Sequence, residues 1–166
     1  ILDIGSGSGC IGLSLAMEFP YAKVIATDIS EAAIDVATIN RLRHGLDGQV
    51  EFSSADLYPD SANLFDLIVT NPPYVPTEQY DSLPPEYLSE PRVALAAGDD
   101  GCVYLERILR DAVNYLTPGG LLAVEVGPTR VEIERRFPLV PFIWVELEHG
   151  GEGLFVIRKE QLQELC

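Results

Sequence analysis

The 166 residues fit one domain with room for a core, and 47% apolar content excludes a disordered chain. A formal charge of −15 disfavours a surface that tracks nucleic-acid phosphates and favours basic partners. No apolar run approaches the ~20 residues of a membrane-crossing helix, no signal peptide is visible, and Cys10, Cys102 and Cys166 form no Cys-x-x-Cys pair, which indicates reduced thiols in the cytoplasm.

Strand and helix patterns alternate along the chain. Ile1–Ile4 reads as a strand whose start is missing, so a fragment is expected. A glycine turn leads to a helix at Cys10–Glu18, then a strand at Lys23–Thr27. Ser30 is an N-cap for a helix to His44, which Gly45 ends. Strands follow at Gln49–Ser53 and Phe65–Thr70, the latter an apolar run of buried type. Val75–Asp100 is long, proline-rich and irregular, the character of a binding segment. Cys102–Leu116 reads as a helix stopped by Pro118-Gly119-Gly120. A strand at Leu121–Val126 and a short helix at Val131–Phe137 come next. Phe142–Glu148 and Gly153–Arg158 read as a closing hairpin about Gly150-Gly151. Five alternating units and this hairpin predict an α/β fold, a doubly wound, mostly parallel sheet with a C-terminal antiparallel hairpin. All of residues 1–166 are expected in one domain.

Asp3-Ile4-Gly5-Ser6-Gly7-Ser8-Gly9 joins the first strand to the first helix. A dinucleotide pattern can be matched from Gly7 through Gly9 to Gly12, a weak signal by itself. Asp3 shifts the balance: a carboxylate there suits the ammonium of an amino-acid-bearing cofactor better than a pyrophosphate. Asp28 ends the second strand, where an acid accepts from ribose hydroxyls, and Ile29 would lie against the base. Asp56 ends the third strand and offers an acceptor to an adenine amino group, with Leu57 beside it. Together with Gly5, Gly7 and Gly9 these residues describe a pocket for S-adenosylmethionine.

Asn71-Pro72-Pro73-Tyr74 follows the Phe65–Thr70 strand. Two prolines cannot continue a central strand, so the chain leaves the sheet there, at the edge where ligands of such sheets bind. Asn71 offers a carbonyl acceptor, Pro72 a backbone carbonyl without a competing N–H, and Tyr74 a flat face. This combination suits capture of a planar amino group.

The glycine loop, Asp28, Asp56 and Asn71-Pro72-Pro73-Tyr74 resemble a Rossmann-like class I methyltransferase acting on nitrogen. Glu90-Pro91-Arg92-Val93-Ala94-Leu95 and Gly98-Asp99-Asp100-Gly101 narrow the resemblance to the HemK family of protein glutamine methyltransferases, over essentially the whole chain. One branch modifies peptide chain release factors, another the large-subunit ribosomal protein numbered three. Tyr87-Leu88-Ser89-Glu90 and the ending from Val140 to Gly153 resemble the ribosomal branch. The resemblance implies S-adenosylmethionine as methyl donor and S-adenosylhomocysteine as product. It implies Asn71, Pro72 and Tyr74 as catalytic residues and Pro73 beside them as substrate-binding, with Asn71 also touching the cofactor. It further implies a cytoplasmic enzyme, a basic ribosomal protein or release factor as substrate, no direct nucleic-acid or membrane partner, and an amino-terminal helical domain absent from this sequence.

A glutamine amide nitrogen is a poor nucleophile because its lone pair is delocalised. Carbonyls of Asn71 and Pro72 would hold its two N–H groups and aim the nitrogen, a positioning effect of roughly 7–11 kcal/mol in well-oriented systems. No strong base is required, since the proton can leave after transfer. Competing readings are a DNA or RNA amino-group methyltransferase acting on a flipped base, a non-catalytic binding module and a nicotinamide oxidoreductase. The acidic charge opposes the first, the intact Asn71–Tyr74 site the second, Asp3 and the proline-rich loop the third. Trp144 reads as core or a domain contact, Cys10 as a small buried residue, and Arg92 as a brace with acidic partners. His44 and His149 lack metal-site clustering, so no metal is expected.

Overall fold

The computed structural model describes residues 1–84, 91–148 and 153–163. Its strands are β1 (Leu2–Ile4), β2 (Val24–Asp28), β3 (Val50–Ser54), β4 (Phe65–Thr70), β5 (Leu116–Glu125), β6 (Ile143–Val145) and β7 (Leu154–Arg158). Its helices are α1 (Cys10–Glu18), α2 (Glu31–His44), α3 (Val103–Tyr115), α4 (Arg130–Arg136) and α5 (Lys159–Gln163). Among the described residues no helix is long and apolar enough to cross a membrane.

One sheet runs β3-β2-β1-β4-β5-β7-β6. The first five strands are parallel, while β7 is antiparallel to both β5 and β6. The chain winds outward from β1 to β3, then returns to β1's other side with β4. The carboxyl ends of β1 and β4 therefore diverge into the crevice where doubly wound sheets bind ligands. The expected doubly wound sheet with an antiparallel closing pair is present, with β7 inserted between β5 and β6.

Local signals set several boundaries. Ser30 Oγ accepts from Ala33 N–H at the start of α2, and Gly45, with φ of 68°, takes the left-handed turn that ends it. On β1, Leu2 and Ile4 face the larger core with α3's Leu105, Ile108, Leu109 and Ala112, while Asp3 faces α1. Leu13, Ala16, Val24 and Val50 fill the smaller core on α1's side. Each large apolar side chain so buried contributes roughly 1.5–3 kcal/mol.

The links and the end of the sheet add detail, and one stretch departs from the expected pattern. The β3–β4 link has no helix; there the Tyr58 hydroxyl donates to the Ile108 carbonyl at 2.7 Å and its ring stacks on Tyr115 at 4.4 Å, tying the link to α3. Thr117-Pro118-Gly119-Gly120 lies within β5, not ahead of it. The register slips between Phe65↔Leu116 and Leu67↔Leu121, and this bulge absorbs the proline and the left-handed Gly119. The β6–β7 hairpin forms, but its Gly150-Gly151 turn, His149 and Glu152 lie outside the described residues, as do Tyr87–Glu90 and Cys166.

Candidate active site

A cavity of about 660 Å³ opens at the carboxyl ends of β1, β2, β3 and β4. Its wall includes Gly5, Gly7, Asp28, Ile29, Asp56, Leu57, Asn71, Pro72, Pro73 and Tyr74. Residues from four separate strand ends thus meet in one space.

The glycine loop divides by function. Gly5 and Gly7 have φ of 67° and 54°, and a Cβ on either would meet no protein atom within 4 Å, so bare backbone faces the cavity. Gly9 does not line it. A Cβ there would lie 2.9 Å from Phe52 Cζ, so Gly9 lets α1 settle against β3 and α2. Asp3 is also outside the wall. It is fully buried beneath α1, where Gly12 N–H donates to Oδ2 at 2.8 Å, while Oδ1 has no hydrogen-bond partner. Burial pushes its carboxyl up to about 7; the Gly12 N–H pulls the other way, and the nearby Asp28 charge pushes it higher.

Asp28 is held from both sides. Gly7 N–H donates to Oδ2 and Ser30 N–H to Oδ1, each at 2.8 Å. Each oxygen keeps acceptor capacity for a further donor in the cavity. Ile29 is a largely exposed apolar side chain on the wall. Across from it Leu57 has a φ of 71°, uncommon for a residue with a Cβ, and Thr27 Oγ1 donates to its carbonyl at 2.5 Å. Asp56 Oδ2 accepts from Arg107 Nη2 at 2.8 Å.

At the end of β4, Thr70 Oγ1 donates to the Ile4 carbonyl at 2.8 Å and locks β4 to β1 just before the exposed Asn71. Pro72 is buried; Pro73 and Tyr74 are half-buried. The following segment is strapped down: Val75 N–H donates to Leu95 O at 2.9 Å, and Ala97 N–H to Val75 O at 2.8 Å. Val93, Ala94 and Leu95 complete that wall, which gives the Pro91–Leu95 motif a structural role. Arg92 lies over the Tyr80 ring at 5.3 Å, an aromatic brace where acidic partners were expected.

Sequence reasoning missed Thr27, Thr70, Tyr104 and Arg107. The last two line the cavity from α3. A signal existed: on a helix whose core face is Leu105, Ile108 and Ala112, positions 104 and 107 share a neighbouring stripe. Cys10 is exposed rather than buried, 3.2 Å from Ser8 Oγ, because with Ile11 it lies on the outward side of α1, opposite the buried Gly12 and Leu13. Trp144 packs edge-on to Phe155 at 5.4 Å, with the Arg130 guanidinium 4.5 Å over its ring. Among the described residues no cluster of His, Cys, Asp or Glu is suited to a metal.

This donor set fits S-adenosylmethionine. The cavity offers bare glycine backbone, a fixed carboxylate at Asp28 and apolar walls at Ile29 and Leu57. The partnerless, buried Asp3 oxygen next to the loop favours a cation nearby.

Comparison with known proteins agrees. The family model described as methyltransferase small domain matches residues 1–97, which hold every cavity element except α3. Two ribosomal protein uL3 glutamine methyltransferases, from Neisseria gonorrhoeae and Neisseria meningitidis, are each 40% identical over 161 residues. The match takes in 97% of this chain and 54% and 53% of theirs, so the chain spans about half the length of the curated relatives it matches. A methyltransferase crystal structure from Pyrococcus furiosus shares the fold, with a TM-score of 0.68 at 22% identity over 95% of this chain and 73% of that one. With the glycine loop, Asp28, Asp56 and Asn71–Tyr74 all inside the matched span, the chain belongs to the methyltransferase small domain family, whose methyl donor is S-adenosylmethionine.

Proposed function

We propose that the protein to which this domain belongs methylates the side-chain amide nitrogen of a glutamine in ribosomal protein uL3. The observation that carries this reading is 40% identity to uL3 glutamine methyltransferases across 97% of the chain, with Asn71–Tyr74 on the cavity wall.

S-adenosylmethionine supplies an electrophilic methyl group on a positively charged sulfur. Asp28 would accept from the ribose hydroxyls, Ile29 and Leu57 would flank the adenine, and Asp56 would accept from its amino group. Gly5 and Gly7 let the chain pass close to the amino-acid end, whose ammonium favours ionised Asp3. The Asn71 side-chain carbonyl and the Pro72 backbone carbonyl accept the two N–H groups of the substrate amide. Held this way, the nitrogen would present its developing lone pair to the methyl group, and both acceptors would stabilise the N–H bonds as they grow more acidic; the neutral thioether would leave and one amide proton would pass to water after transfer. The Tyr74 ring packs on the amide plane and favours the cationic sulfur nearby.

The charge of −15 suits a basic ribosomal protein substrate, and the reaction belongs in the cytoplasm, where ribosomal proteins are free before rRNA covers them. The test uses the full-length enzyme with S-adenosylmethionine and, separately, uL3, peptide release factor and rRNA, followed by mass spectrometry. A methylated glutamine in uL3 is expected. Release factor methylated in its place moves the protein to the other branch. Methylated rRNA with neither protein modified overturns the reading.

A further inference from the structure

We infer that Gly127 and Gly153 are positioning residues for the Tyr74 ring, so that the C-terminal hairpin sets the aromatic wall of the active site. The inference rests on the reading of Tyr74 as part of the catalytic loop. Gly127 lies just beyond β5, is buried, and has a φ of 52°. A Cβ added there would stand 2.8 Å from Tyr74 Cζ and 2.9 Å from both Cε2 and Oη. The hydroxyl end of the ring therefore rests directly on the Gly127 backbone. Any larger residue has to displace that ring, and Tyr74 is part of the cavity wall.

Gly127 is in turn fixed from behind. A Cβ on Gly153 would overlap the Gly127 carbonyl oxygen and come within 2.9 Å of its nitrogen. Val126 N–H donates to Gly153 O at 2.9 Å, one residue before the β5–β7 pairing begins at Glu125↔Leu154. Backbone thus lies on backbone with no side chain between, and the ring lies on the second of the two. The other end of Tyr74 is bounded as well, because a Cβ on Gly101 would overlap the Tyr74 carbonyl oxygen. Gly101 thus bounds the Tyr74 backbone, and Gly127 bounds the hydroxyl end of its ring. Gly153, which closes the ending that resembles the ribosomal branch, holds the surface on which the aromatic wall stands.

The test is a double-mutant cycle in the full-length enzyme acting on uL3. Gly127→Ala is expected to lower kcat roughly ten- to hundredfold through a displaced ring, with cofactor affinity within about twofold of the parent. Gly119→Ala supplies the control. Its φ of 77° carries the same backbone strain, but a Cβ there meets no atom within 4 Å, so kcat should hold. In a Tyr74→Ala background the Gly127→Ala change should cost nothing further in kcat. Additive losses would overturn the inference. Full turnover in Tyr74→Ala alone would remove Tyr74 from the mechanism, a separate failure that takes the inference with it. If Gly127→Ala does not fold, removal of the ring in the pair must restore folding; a pair that also fails places the clash elsewhere and rejects the inference.

Discussion

Arg107 Nη2 on α3 stands 2.8 Å from Asp56 Oδ2 at the end of β3, and both side chains line the same cavity. The pair orients a carboxylate that is itself half exposed. At 34% and 56% side-chain exposure it contributes little to stability, ~0.2–1 kcal/mol. Arg107→Ala should therefore leave the thermal midpoint nearly unchanged yet weaken S-adenosylhomocysteine binding by about threefold to tenfold. Arg107→Lys should recover part of that loss. Calorimetric titration checks both, and equal affinities for all three proteins would detach the pair from cofactor binding.

Asp28 accepts two backbone N–H groups on the cavity wall, and the proposed ribose contact would add binding to that structural role. Asp28→Ala leaves the Gly7 and Ser30 N–H groups unpaired together, whereas Asp28→Asn keeps one acceptor. The alanine variant should lose ~1–3 kcal/mol of stability as well as cofactor affinity, with asparagine between. Denaturant unfolding beside calorimetry separates the two effects. Undiminished stability in Asp28→Ala would mean that water replaces both bonds without cost.

Asp3 predicts a pH dependence with a definite sign. Its folded-state carboxyl stands at about 7 against an ordinary 3.8, so between those values the folded protein holds a proton that the unfolded chain has released. Stability attributable to Asp3 then falls as pH rises through this window, by ~4 kcal/mol in all, and is constant above it. Asp3→Asn should flatten the slope and be the more stable protein at pH 8 but not at pH 4. Urea unfolding across that range is the measurement, and parallel curves would refute the assignment.

Asn71→Ala in the full-length enzyme should cut kcat at least ~10²-fold, comparable to the loss of one positioned electrostatic contact. Cofactor affinity should change far less, because the amide acceptor matters chiefly once substrate is aligned. Single-turnover kinetics on uL3 distinguish this from slow product release. Near-normal turnover would reduce the motif to a turn.

What could be read from sequence was whatever is written locally. Ser30 and Gly45 mark α2 by capping chemistry, and Phe65–Thr70 is bounded by a polar link and two prolines, so both elements fall where expected. The insertion of β7 between β5 and β6 was not legible, because pairing of Leu122 with Ile157 leaves no trace in either segment alone. The same holds in the cavity. Asn71–Tyr74, Asp28 and Ile29 sit at strand ends and announce themselves, while Tyr104 and Arg107 arrive far along the chain, on α3. Asp3's place off the cavity wall has a legible reason: Leu2, Asp3 and Ile4 alternate, and both neighbours face α3's side of the sheet, which turns Asp3 toward α1.

The threading of β7 also orders events in time. During synthesis β6 emerges before β7, yet β7 is its partner in the sheet, and Gly127 waits for Gly153. The cofactor cleft between β1 and β4 can assemble early, whereas the ground beneath Tyr74 is laid with the last strand. A nascent chain should therefore hold S-adenosylhomocysteine before it can transfer a methyl group. A ribosome-bound chain stalled with residue 152 just outside the exit tunnel gives the measurement: ligand binding without transfer fits this order, and transfer at that length contradicts it.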